Sequence, residues 1–145
     1  MAATEQVWIV DDDSSIRWVM EKALTRAGLS CRVFESGDDV LQALTLEAPL
    51  VVVSDIRMPG MDGIALLSEL KSQQPDLPVI ITTAHSDLDS AVSAYEEGAF
   101  EYLPKPFDIE EMVATVTRAQ AQRAQEEPAG SEETDRRSTE IIGNA

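Results

Sequence analysis

The chain has 145 residues, 43% of them apolar and 26% charged, which suits one domain with its own core and is short for two. Eleven basic against 27 acidic residues give a net charge of −16. That field repels phosphate backbones and anionic membrane surfaces, so this segment is not read as gripping nucleic acid or lipid by itself. The single cysteine, Cys31, excludes an internal disulfide. With no apolar run long enough for a membrane span and no basic leader before an apolar stretch, a cytoplasmic protein is expected.

Val7 to Val10 is a short, branched apolar run that reads as a buried strand. Ile16, Val19, Met20, Ala23, Leu24 and Ala27 then recur at helical spacing, with Asp13 or Ser14 placed to cap the helix and Gly28 to end it. Cys31 to Phe34 reads as a weaker, peripheral strand. Ser36 can cap a helix whose apolar face is Val40, Leu41 and Leu44. Leu50 to Val53 is an unbroken apolar run, as in a strand covered on both faces. Ile64, Leu67 and Leu70 mark a third helix, bounded by Pro75 and Pro78. Val79 to Ile81 is a fourth strand. Ser86 and Asp89 form a capping pair before Leu88, Val92 and Tyr95, and Gly98 ends that helix. Phe100 to Leu103 is a fifth strand, and Asp108 with Glu111 precedes a last helix along Ile109, Met112, Val113 and Val116. Strand and helix alternate throughout, which implies a parallel sheet with helices on both faces.

In such sheets ligands sit beyond the carboxyl ends of the strands. Asp11, Asp12 and Asp13 follow the first strand, and Ser54 and Asp55 the third. Thr82, Thr83 and Ala84 follow the fourth, and Pro104, Lys105 and Pro106 the fifth. Any one of these could be a cap or a solvated charge; the signal is their convergence on one edge. Clustered carboxylates repel, and a hard divalent cation relieves that repulsion through oxygen ligands. A carboxylate can accept a phosphoryl group, while a lysine and a threonine hydroxyl meet its oxygens. The set suits phosphoryl transfer onto an aspartate.

Over residues 6–122, this ordered set resembles the receiver domains of two-component response regulators. The matching stretches are Val10-Asp11-Asp12, Asp55 with Met58-Pro59-Gly60-Met61-Asp62-Gly63, Thr83-Ala84, and Lys105-Pro106-Phe107. The resemblance implies an α/β fold: a doubly wound, five-stranded parallel sheet of the flavodoxin or CheY-like (βα)5 kind, strand order 2-1-3-4-5. It makes Asp55 the phosphoacceptor and Mg²⁺ the cofactor. Asp12 and Asp55 would hold the ion directly, Asp11 mainly through water, and the backbone carbonyl of Arg57 would complete the set. A register one residue later in the aspartate triplet is the competing alignment. Thr83 and Lys105 would contact the phosphoryl group, and the Lys105-Pro106 peptide would be cis. The fourth-helix region would carry the output, through His85, Leu88, Val92, Tyr95 and Tyr102. Core packing is the competing reading of that apolar stripe, and a plain loop histidine that of His85.

Within the family, VDDDSSIRW, SDIRMPGMDG, TAHSDLDSAVSAY and YLPKPFD resemble the receivers of sigma-54-dependent transcription activators of nitrogen regulation. The implied partners are a sensor histidine kinase as phosphodonor, the ATPase and DNA-binding domains of the same protein and, on phosphorylation, a second copy of the chain. The module would act catalytically only on itself, not as a conventional enzyme. Residues 1–125 form the expected receiver. Residues 126–139 read as a flexible acidic linker without large apolar side chains, and EIIGNA at 140–145 as the start of an AAA+ ATPase domain.

The alternative is a small haloacid-dehalogenase-like phosphatase with Asp11 as nucleophile and Asp13 as acid, which leaves Asp55 and its loop unexplained. A calcium loop lacks its glycine, since Ile16 stands there. A flavin site would want a phosphate loop where three aspartates stand.

Overall fold

The computed structural model describes residues 7–58, 60–84, 88–105 and 107–126. Strand and helix alternate as β1 (Val7–Val10), α1 (Ser14–Arg26), β2 (Cys31–Phe34), α2 (Gly37–Leu44), β3 (Val51–Asp55), α3 (Gly63–Gln73), β4 (Val79–Ala84), α4 (Leu88–Glu96), β5 (Glu101–Lys105) and α5 (Ile109–Glu126). The five strands form one parallel sheet in the order β2-β1-β3-β4-β5, the expected doubly wound topology.

Burial explains the sequence pattern of the strands. Every residue of β1 and β3 is buried, because helices cover both faces of the sheet centre. The edge strands β2 and β5 are only partly buried, which is why their runs are weaker. Trp8, Val10, Val52, Val79 and Ile81 face one core with Val40 and Leu44 of α2, Leu66, Leu67 and Leu70 of α3, and Ala94 of α4. Val7, Ile9, Val51, Val53, Ile80 and Leu103 face the other, with Met20 and Leu24 of α1 and Met112, Val116 and Ala119 of α5. The alternation along each strand is the two-residue period of β-structure. Each large side chain so buried contributes roughly 1.5–3 kcal/mol.

The helix ends follow the local rules. Asp13 caps α1, its Oδ1 accepting from the amides of Ser15 at 2.8 Å and Ile16 at 3.3 Å. Ser36 caps α2 and Asp62 caps α3 in the same way. Gly28 and Gly98 leave their helices with φ of +89° and +104°, as stop signals should. Asp108 accepts the amide of Glu110 at the start of α5. Ser86, expected to cap α4, lies outside the described residues.

Three strands run further than their apolar runs. β3 continues through Ser54 to Asp55, β4 through Thr82 and Thr83 to Ala84, and β5 through Pro104 to Lys105. These residues are therefore strand residues and not the loops that the sequence suggested. The ladder accounts for the extension: Asp55 pairs with Thr82, Thr83 with Pro104, and Ala84 with Lys105. Backbone pairing does not require an apolar side chain, and Pro104 is tolerated because β5 is an edge. The linker and the 140–145 segment lie outside the described residues, apart from Glu126 at the end of α5. Among the described residues no helix is long and apolar enough to cross a membrane.

Candidate functional site

β1 and β3 are neighbours, yet the chain leaves β1 toward β2 on one side and β3 toward β4 on the other. This is the topological switch point, where crossovers diverge and leave a crevice at the carboxyl ends of the strands. Asp11 stands at the end of β1 and Asp55 at the end of β3. Both are buried, at 0% and 8% exposure. Asp12 is exposed at the mouth. Carboxylate oxygens of the three lie within 4.8 Å of one another, so the group could hold a metal ion. Hard oxygen donors held this closely, two of them out of water, fit a divalent cation.

Lys105 reaches into the same cluster from β5. Its Nζ lies 3.1 Å from Asp11 Oδ2 and 3.3 Å from Asp55 Oδ1. Burial works against its charge, but the carboxylates of Asp11 and Asp55 outweigh it and hold the ammonium above the ordinary lysine range. Burial, and then the Asp11 carboxylate, push the Asp55 carboxyl above its usual range; Lys105 and the Arg57 amide only partly offset them. One ammonium thus serves two buried carboxylates, leaving a net negative site that attracts a cation.

The loop after β1 is held tightly. The amide of Asp13 donates to Asp11 Oδ1 at 2.9 Å, and Arg17 Nη1 donates to the main-chain carbonyl of Asp11 at 2.6 Å. Asp13 is committed to capping α1, while the carboxylates that cluster with Asp55 are those of Asp11 and Asp12. The same commitment removes the acid that a phosphatase with Asp11 as nucleophile would need from Asp13.

Loop β3–α3 returns close to the site. The amide of Gly63 donates to the carbonyl of Ile56 at 2.8 Å, and a Cβ on Gly63 would lie 2.6 Å from Ile56 Cα. Only glycine allows α3 to start this close to the end of β3. Arg57 follows Ile56, and its amide hydrogen-bonds back to the Asp55 carboxylate. Ser54 Oγ turns to the main chain and donates to the Asp55 carbonyl at 3.0 Å.

Thr83, on β4, is 1% exposed, and among the described residues its Oγ1 finds no hydrogen-bond partner. A buried unsatisfied hydroxyl costs about 1–3 kcal/mol, so it needs a reason to be there. Thr82 Oγ1 and Trp8 Nε1 are orphaned in the same way, the latter deep in the core against Phe34.

The expected output residues divide. Val92 and Tyr95 are 50% and 44% exposed, whereas Ala94 of the same helix is buried. For those two residues the core-packing reading of the stripe is overturned. Tyr95 meets Tyr102 edge-to-face, with ring centroids 5.5 Å apart, and its hydroxyl donates to Glu101 Oε2 at 3.3 Å. His85 and Pro106 lie outside the described residues, and so does the side chain of Leu88. Sequence reasoning missed Arg17, because its role depends on a carbonyl that carries no sequence signal.

A family model described as the response regulator receiver domain matches residues 7–117. The chain is 62% identical over 138 residues to the DNA-binding transcriptional regulator NtrC of Klebsiella pneumoniae, covering 95% of this chain and 29% of that protein. It is similar to the solution structure of the apo receiver domain of nitrogen regulatory protein C, at 66% identity and a TM-score of 0.74, covering 81% and 94% of the two chains. The BeF3-activated form of that receiver matches at 64% identity and a TM-score of 0.70, covering 83% and 97%.

Proposed function

Because this chain belongs to the response regulator receiver family, we propose that it is a phosphorylation-operated switch in which Asp55 takes a phosphoryl group from the phosphohistidine of a sensor kinase. The observation that carries the reading is the convergence of Asp11, Asp12, Asp55 and Lys105 on one strand edge. The unpartnered hydroxyl of buried Thr83 supports it, since a phosphoryl oxygen is the partner that hydroxyl lacks.

An Asp55 carboxylate oxygen attacks phosphorus, the P–O bond forms, and the P–N bond to the donor histidine breaks. The histidine leaves with the electron pair of that bond. Asp11, Asp12, Asp55 and the Arg57 carbonyl would hold Mg²⁺ at the site. When bound, that ion neutralises charge on the carboxylates and the phosphoryl oxygens. Lys105 supplies a fixed positive charge to one phosphoryl oxygen, and Thr83 donates a hydrogen bond to another. Hydrolysis by water on the same residues resets the switch, so the module acts on itself alone.

The output passes to the α4–β5 face, where Val92 and Tyr95 are exposed beside Tyr102; Leu88 and His85 belong to the same expected set. Apolar side chains left in water at that face suit contacts that change with phosphorylation. The chain spans less than a third of the length of the NtrC proteins that it matches. For the whole protein we extend the reading to a cytoplasmic sigma-54-dependent transcription activator of nitrogen regulation. Its linker would run over 126–139, its ATPase domain would begin at 140, and a DNA-binding domain would follow.

The test is to add beryllofluoride, a phosphoryl mimic, with Mg²⁺ and record amide chemical shifts. Large changes at Asp55, Thr83 and residues 86–102, absent in Asp55→Asn, are expected. Changes centred on Asp11 that persist in Asp55→Asn would overturn the assignment of the acceptor.

A further inference from the structure

Only Asp11, Asp12 and Asp13 separate the last residue of β1 from the first residue of α1. Asp11 is held at every polar atom. Its amide donates to the Phe34 carbonyl at 3.2 Å, its Oδ1 accepts from Asp13, and its Oδ2 meets Lys105. Its carbonyl accepts from Arg17. Asp13 is held through its own amide and through its capping carboxylate. Asp12 therefore hangs between two fixed residues. Among the described residues, the one bond on the Asp11–Asp12 peptide that comes from a charged side chain is the one from Arg17.

We propose that Arg17 is a positioning residue for the cation site: by holding the Asp11 carbonyl it fixes the plane of the Asp11–Asp12 peptide, and so keeps the Asp12 carboxylate within reach of Asp11 and Asp55. The inference rests on the reading of those three residues as ligands. Charge-assisted donation to a carbonyl is roughly twice as strong as a neutral hydrogen bond. The 2.6 Å separation is slightly shorter than the usual range of about 2.7–3.2 Å for an N–H···O bond. Arg17 also brings a positive charge near the site. The two effects have opposite signs: losing the positioning bond weakens cation binding, whereas losing a nearby positive charge strengthens it.

That difference in sign makes the test decisive. Mg²⁺ is titrated into the full chain and followed by the amide shifts of Asp12 and Asp13. The parent is compared with Arg17→Met, Arg17→Lys and Asp12→Asn. Arg17→Met keeps the stem and helix propensity but removes the donors, and about tenfold weaker binding is expected, as for other residues that orient metal ligands. Arg17→Lys, which retains a charged donor on a long stem, should recover most of the loss. Binding by Arg17→Met as tight as the parent's, or tighter, overturns the proposal. So does a lysine variant as weak as the methionine one. If the parent gives no saturable titration, or Asp12→Asn binds as the parent does, the ligand reading itself fails and this inference falls with it.

Discussion

Asp55 illustrates how a residue's environment sets its chemistry. Half-paired with Lys105 and facing Asp11, its carboxyl is pushed up by burial first and by that neighbouring charge second. A carboxyl whose folded pKa is raised favours the folded state most when protonated. Its contribution is fully present below the usual carboxylate range and is lost as pH rises through the folded value. In metal-free buffer at neutral pH, Asp55→Asn is therefore expected to unfold at a higher temperature than the parent. The advantage should fade in acid, where Asp55 is protonated in both states. Thermal unfolding across pH checks this, and a lower midpoint for Asp55→Asn at neutral pH would contradict it. Asp11, Asp55, Thr83 and Lys105 were all legible as residue types at strand ends. The orphaned state of Thr83 Oγ1 was not, because it depends on what fails to approach it.

At the scale of elements, the site depends on where α3 begins. Asp62 caps the helix, and Gly63 brings its first turn against the backbone at the end of β3. Gly63→Ala has no flexible side chain to displace; backbone must move. We expect a loss of about 1–3 kcal/mol or more in urea unfolding, with the amide shifts of Asp55 and Ile56 displaced even under folding conditions. Unchanged stability would mean that the approach is looser than the geometry requires. The elements themselves were readable from apolar period and caps, and β1 and β2 match their expected limits residue for residue. β3, β4 and β5 extend beyond theirs. The apolar pattern reports burial, whereas strand ends are decided by hydrogen bonds to a neighbour absent from the local sequence.

For the whole molecule, two cores and one functional edge divide the work. Side chains in the cores are fully packed, whereas Val92 and Tyr95 at the α4–β5 face are exposed. Val92→Ser should alter stability by no more than about 0.5 kcal/mol, as for an exposed position. Leu67→Ala, at a fully buried position, should cost about 2–5 kcal/mol. Urea unfolding of the two variants tests this division, and a large loss for Val92→Ser would return that residue to the core. The sequence by itself determined the class of fold, the sheet's buried centre and the kinds of chemical group at its edge, because periodicity, caps and residue type are local properties. Tertiary structure alone decided that Asp13 caps α1, that Arg17 holds the Asp11 carbonyl, and that Val92 and Tyr95 face water. Those outcomes depend on distances between residues that only folding brings together, and on which face of an amphipathic helix finds a neighbour.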